Sequence, residues 1–161
     1  MKTLSLLVGV LAFYSGIAKA DLAKDCFTTV DNTQFCSTDN LGKVQVFVFN
    51  AGWCPACNDE MDELGPMYTK QYANKAVVFA SLSGEGYGEG STPTVSFLKQ
   101  WKSQHKIPFI VGGKKEDFGE AFGESQYIPF TVIIDQQGNV TKTGSLGADE
   151  ISSEVDRLLG K

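Results

Sequence analysis

The chain has a single histidine in 161 residues and fewer cations than anions, 14 Lys and Arg against 19 Asp and Glu. That histidine, His105, follows an amphipathic stretch with no matching ligand pattern, so it reads as a surface residue and no metal site is expected. No apolar run reaches the roughly 18 consecutive residues of a membrane span. The segment Leu4 to Ala18 comes nearest in character, but Ser5, Gly9, Ser15 and Gly16 interrupt it. The anionic balance argues against nucleic acid and anionic membrane as partners. The glycine-rich stretch Ser83 to Thr92 lacks the Lys-Ser/Thr ending of a phosphate loop and carries Glu85 and Glu89, which repel phosphate. No internal repeat is visible, and no motif asks for a cofactor.

What is present begins with Lys2, the apolar segment, and the small-residue triplet Ala18-Lys19-Ala20 before Asp21. This is the three-part layout of a secretory signal peptide over residues 1–20, with cleavage expected after Ala20 and an exported, periplasmic destination. No cysteine sits just after the expected cleavage point, so no lipid anchor is suggested. The remainder, 21–161, has the length of one domain with a sizeable core. Losing Lys2 and Lys19 takes the basic count from 14 to 12 against 19 acids, a formal charge of -7. All four cysteines, Cys26, Cys36, Cys54 and Cys57, fall in the exported part, where disulfides persist. Three pairings are open to them, and proximity favours Cys26 with Cys36 and Cys54 with Cys57.

Hydrophobic periodicity orders the domain. Val44 to Asn50 reads as a buried strand and Cys54 to about Tyr72 as a helix, with Met61, Leu64, Met67, Tyr68 and Tyr72 at three- and four-residue intervals and a kink at Pro66. Ala76 to Leu82 reads as a second strand. A glycine-rich connection, Ser83 to Thr92, predicts a mobile loop. An amphipathic helix follows from Val95 through Trp101, with Phe97, Leu98 and Trp101 toward the core. Strand, helix, strand, helix implies a parallel unit with a right-handed crossover. Ile107 to Val111 adds a short extended segment, and Lys115 to Phe122 a helix. Phe130 to Asp135 and Val140 to Ser145 form a hairpin around Gly138-Asn139, and Asp149 to Leu159 a closing helix. Upstream, Phe27 to Val30 and Gln34-Phe35 read as a hairpin turning near Asp31-Asn32. The sum is α/β: a central mixed sheet covered by helices, with an N-terminal β-hairpin extension.

Trp53-Cys54-Pro55-Ala56-Cys57 places two thiols one helical turn apart at a strand-to-helix junction. Thiol-disulfide exchange needs an attacking thiolate, a nearby resolving sulfur and something to stabilise negative sulfur. A helix N-terminus supplies the last through unpaired N–H groups and its dipole. Cys54 is therefore expected as the exposed nucleophile and Cys57 as the buried resolving thiol. By itself a C-x-x-C also suits half of a zinc site or a structural bridge.

The stretch Val48 to Cys57, Glu60 three residues beyond it, and Tyr127-Ile128-Pro129 before Phe130 to Asp135 together resemble the exported TlpA/ResA-like group of thioredoxin-fold proteins, which includes the cytochrome c maturation thioredoxins. The resemblance covers nearly all of 21–161. It implies a thioredoxin fold, a thiol:disulfide oxidoreductase reducing protein disulfides, and an upstream membrane electron donor, with no stable membrane insertion after cleavage. It also implies a cis peptide bond before Pro129, which turns the Ile128 backbone toward Cys54 and lets a substrate strand pair there. Glu60 matches the acid that accepts a proton from the second cysteine. Val48 stands where relatives carry a buried acid or Asn. Phe130 replaces a common Thr and Asp62 a common Pro, both expected near the partner surface. Trp53 offers a flat apolar docking surface beside Cys54. A disulfide-forming oxidase or isomerase, or a binding or metal-carrier protein using the same surface, remains the alternative. Cys26 and Cys36 read as a structural disulfide, with a second redox pair as the sharper option.

Overall fold

A strand that buries every residue has to lie inside a sheet covered on both faces. Val44–Ala51, β3, buries all eight of its residues and is the central strand of the molecule. The computed structural model describes residues 26–113 and 127–161. The expected signal peptide with its cleavage point after Ala20, and the helix expected around Lys115 to Phe122, lie outside the described residues.

In chain order the elements are β1 (Cys26–Thr28), β2 (Gln34–Cys36), a 3-10 turn (Ser37–Asn40), β3, α1 (Pro55–Gln71), β4 (Val77–Glu85), α2 (Val95–Gln104), β5 (Ile110–Gly113), β6 (Phe130–Ile134), β7 (Val140–Gly144) and α3 (Ala148–Leu158). The five-stranded sheet runs β5-β4-β3-β6-β7. β3, β4 and β5 are parallel, β6 is antiparallel to β3, and β7 is antiparallel to β6. This is the mixed α/β sheet with an N-terminal hairpin that the sequence implies. None of the described helices is long and apolar enough to cross a membrane.

Alternation along β3 splits the core. Val44, Val46 and Val48 point to one face, where they meet Met61 and Leu64 of α1, Phe97, Leu98 and Trp101 of α2, and Ile151 and Val155 of α3. Phe47 and Phe49 point to the other face, with Ala80, Leu82, Phe130, Val132 and Ile134. There the hairpin supplies Phe27 and Phe35, whose rings lie 5.1 Å apart, and Phe47 meets the Phe27 ring edge-on at 6.5 Å. Cys26 faces Cys36 across the hairpin and the two are disulfide-bonded. The hairpin is tied to the sheet edge by the Val30 N–H, which donates to the Val111 carbonyl at 2.8 Å, and by a bridge from Thr29 to Gly112. Gly112 has to be glycine, because a Cβ there would sit 2.5 Å from the Phe27 ring.

Three expectations change. β4 continues through Ser83 and Gly84 to Glu85, so the first part of the expected mobile loop is strand. The remainder is closed by the Gly86 N–H on the Ser91 carbonyl at 3.0 Å and the Ser91 N–H on Gly88 at 3.0 Å. The short strand begins at Ile110 and ends at Gly113, later than Ile107 to Val111. His105 is 5 % exposed and is no surface residue: its Nδ1 lies 2.9 Å from Asp62 Oδ1, and its ring packs 4.3 Å from Trp101. The C-cap position that ends α2 turns inward against Asp62 of α1, which the apolar pattern of α2 alone does not register.

Candidate active site

Cys54 caps α1. Its backbone is extended, Pro55 occupies the first helical turn where a missing N–H costs nothing, and the Cys57 N–H donates to Cys54 Sγ at 3.2 Å. Cys54 and Cys57 are joined as a disulfide. Cys57 is fully buried and Cys54 is 4 % exposed. Cys54 is thus the more accessible sulfur, but in this oxidised state it is not the exposed group the sequence implies. The helix N-terminus holds the pair where backbone N–H groups and the dipole favour negative sulfur.

β6 brings the second motif to the same place. The Ile128–Pro129 peptide is cis, and the Ile128 carbonyl oxygen lies 3.9 Å from Cys54 Sγ. Ile128 is half-buried against the same core as the two cysteines. Trp53 is 40 % exposed, and its indole Nε1 donates to a carboxylate oxygen of Glu85 at the end of β4. Phe130 turns away from this surface: it is buried on the opposite face of the sheet beside Phe49, at 6.4 Å between rings. Asp62 lies farther along α1, exposed and paired with His105. The expected place of Phe130 at the partner surface is therefore overturned, since side chains alternate along β6 and Phe130 falls on the inward register.

Glu60 is 8 % exposed, on the buried stripe of α1 with Cys57 and Met61, one turn beyond Cys57. Burial pushes its carboxyl up to about 8, and the like charge of Glu63 adds to the rise. The Thr131 hydroxyl, opposite Val48 in the sheet, offsets part of it without meeting hydrogen-bond geometry; both Glu60 oxygens and the Thr131 oxygen are buried without such a partner. A carboxyl held this way stays largely protonated at neutral pH and gains its charge around pH 8, close to the range in which a thiol titrates, so it can take and return a thiol proton. Val48 is wholly buried and supplies no second acid.

Behind the cysteine loop lies a polar network that the sequence reading missed. Asn50 Nδ2 donates to Ser81 Oγ at 2.8 Å and to the Val48 carbonyl at 3.1 Å, while Ser83 Oγ donates to Asn50 Oδ1 at 2.7 Å. Trp101 Nε1 donates to Ser81 Oγ at 3.2 Å. The network locks the end of β3 to β4 and α2, just before the loop that carries Trp53 and Cys54. Polar residues in otherwise apolar strand runs were the available signal. Gly52 is fixed by crowding: a Cβ there would come 2.6 Å from the Phe97 ring and 2.8 Å from the Gly86 carbonyl oxygen.

The structure therefore brings Trp53, Cys54, Cys57, Glu60, Ile128 and Pro129 to one end of the sheet. Cys26 and Cys36 are not with them. Their hairpin inserts Phe27 and Phe35 into the core on the opposite face from Cys54 and Cys57.

A family model described as Redoxin matches residues 18–159. The chain belongs to the Redoxin family. Among solved structures it resembles a thioredoxin-family thiol:disulfide interchange protein from Chlorobium tepidum TLS, with 24 % identity over 84 % of this chain and 92 % of that one and a TM-score of 0.69. It also resembles MTB dsbF, with 24 % identity over 83 % and 93 % and a TM-score of 0.67. A secreted Mycobacterium tuberculosis disulfide oxidoreductase homologous to E. coli DsbE matches at 23 % identity over 82 % and 94 %, with a TM-score of 0.61. No curated protein matches the chain in sequence. At these identities the structural likeness establishes the fold, which is thioredoxin-like.

Proposed function

We propose that this Redoxin-family chain is an exported thiol:disulfide oxidoreductase of the TlpA/ResA-like type, reducing protein disulfides through Cys54 and Cys57. The observation that carries the reading is the Cys54–Cys57 pair at the N-terminus of α1, beside the Ile128 carbonyl and with the buried Glu60 one turn behind. In the reductive direction the Cys54 thiolate attacks a substrate disulfide, forming a mixed disulfide and releasing one substrate thiolate. Cys57 then gives its proton to Glu60 and attacks Cys54 Sγ, so the second substrate thiol leaves and the protein ends in the oxidised state seen here. Two electrons pass from the dithiol to the substrate. Trp53 and the Ile128–Pro129 edge receive the substrate chain, as an extended strand pairs with exposed backbone.

Residues 1–20 are read as the signal peptide and 21–161 as the thioredoxin-like domain, delivered to the periplasm. The secreted character stated for the Mycobacterium tuberculosis neighbour accords with this. An upstream membrane electron donor returns Cys54 and Cys57 to the dithiol. Cys26–Cys36 serves as a structural staple, in keeping with its place across the sheet. An insulin-reduction assay with the reduced protein, together with the reduction potential of the Cys54–Cys57 pair, tests the reading. Failure to reduce insulin, or a potential too oxidising to reduce typical protein disulfides, refutes the reductive direction.

A further inference from the structure

Glu85 occupies an unusual position for a carboxylate in this molecule. A register shift in the β3–β4 pairing, between Asn50 and Ala51, sets Glu85 rather than Gly84 opposite Ala51. Its backbone carbonyl accepts from the Gly52 N–H at 3.3 Å, and one of its carboxylate oxygens accepts from the Trp53 indole. Backbone and side chain are thus both clamped to the two residues that precede Cys54. Glu85 is half-buried, and among the described residues it makes no ion pair and its second carboxylate oxygen has no donor.

We propose that Glu85 is a specificity-determining residue, selecting disulfide substrates in which a lysine or arginine flanks the cysteine attacked by Cys54. This rests on the oxidoreductase reading above. A substrate sulfur in line with Cys54 carries its flanking residues across Trp53, where the clamped carboxylate presents a free oxygen to a cationic side chain. Trp53 supplies the flat surface that an aliphatic lysine stem or a guanidinium plane packs against. An acidic flanking residue meets like charge at the same place. Because the Glu85 backbone is held by Gly52 and one carboxylate oxygen by the Trp53 indole, little side-chain freedom is lost when the pair forms.

The test uses three disulfide-linked peptides of equal length with Lys, Gln or Glu next to the cysteine, and the pre-reduced protein in single turnover. The neutral peptide is the internal reference. At low salt the Lys peptide is expected to react about fivefold faster than the Glu peptide, with the ratio shrinking as ionic strength rises. Glu85→Gln retains a carbonyl acceptor for Trp53 but removes the charge, and is expected to bring the Lys-to-Glu ratio to about one. Glu85→Lys is expected to invert it. Equal rates for the charged peptides in the unmodified protein, or a ratio unmoved by Glu85→Gln and Glu85→Lys, overturns the assignment. Absence of exchange with all three peptides, the neutral one included, instead overturns the oxidoreductase reading and the preference with it.

Discussion

Replacing Glu60 with glutamine exchanges a buried ionisable group for a neutral one of the same shape, and its effect on stability has a sign that depends on pH. In the folded protein burial raises the carboxyl from 4.5 to about 8. A group whose folded value is raised binds its proton more tightly in the native state, so its contribution is fully present below pH 4.5 and is lost as pH climbs toward 8. The loss accrues at about 1.4 kcal/mol per pH unit and reaches about 4 kcal/mol at pH 8. Glu60→Gln has no such loss. The variant should match the parent near pH 4.5 and exceed it by several kcal/mol at pH 8, while its reduction of a model disulfide slows because Cys57 has lost its proton acceptor. Urea unfolding of the oxidised proteins from pH 4.5 to 9 reads the first effect, and the pH–rate profile the second. Parallel stability curves for the two proteins would show that Glu60 does not titrate as a buried acid and would refute the argument.

Other outcomes follow from the same geometry. Cys54→Ser should abolish exchange and Cys57→Ser should accumulate a mixed disulfide with a partner, with mass mapping after brief alkylation of the reduced protein labelling Cys54 first. Gly52→Ala drives a methyl against Phe97 and the Gly86 carbonyl and should cost about 1–3 kcal/mol by denaturant unfolding. Removing both Cys26 and Cys36 as serines should cost about 2.8 kcal/mol on the chain-entropy model for a loop of this length. Graded redox titration, read separately at each cysteine, should show Cys26–Cys36 still oxidised under reductants that open Cys54–Cys57. Equal potentials would favour a relay between the pairs instead.

The sheet and its helices were legible because β3 and α1 each follow one clear period, and a strand-to-helix junction with two cysteines is hard to mistake. What the sequence hid are features made by contact between distant segments. Nothing local marks Glu85 as the partner of Trp53, since the two lie 32 residues apart in sequence and meet through the shifted register of β3 against β4. His105 reads as solvent-facing because the partner of its ring nitrogen, Asp62, lies 43 residues away on α1. Phe130 was misplaced for a simpler reason: one residue of register decides which face of β6 it takes. Glu60 was singled out as a candidate, but its burial beside Thr131 required the fold.

The tie between Val30, Thr29 and β5 reaches beyond the core it completes. β5 is the outermost parallel strand, and an outermost strand with unpaired N–H and carbonyl groups is a template for another chain. The bridge from Thr29 to Gly112 and the Val30–Val111 bond occupy part of that template. A molecule whose N-terminal hairpin has come loose offers Ile110, Val111 and Gly112 to its neighbours, together with the apolar surface vacated by Phe27. Such a molecule self-associates while its Cys54–Cys57 pair stays intact, so damage to the hairpin should appear first as precipitation on storage and only later as lost turnover.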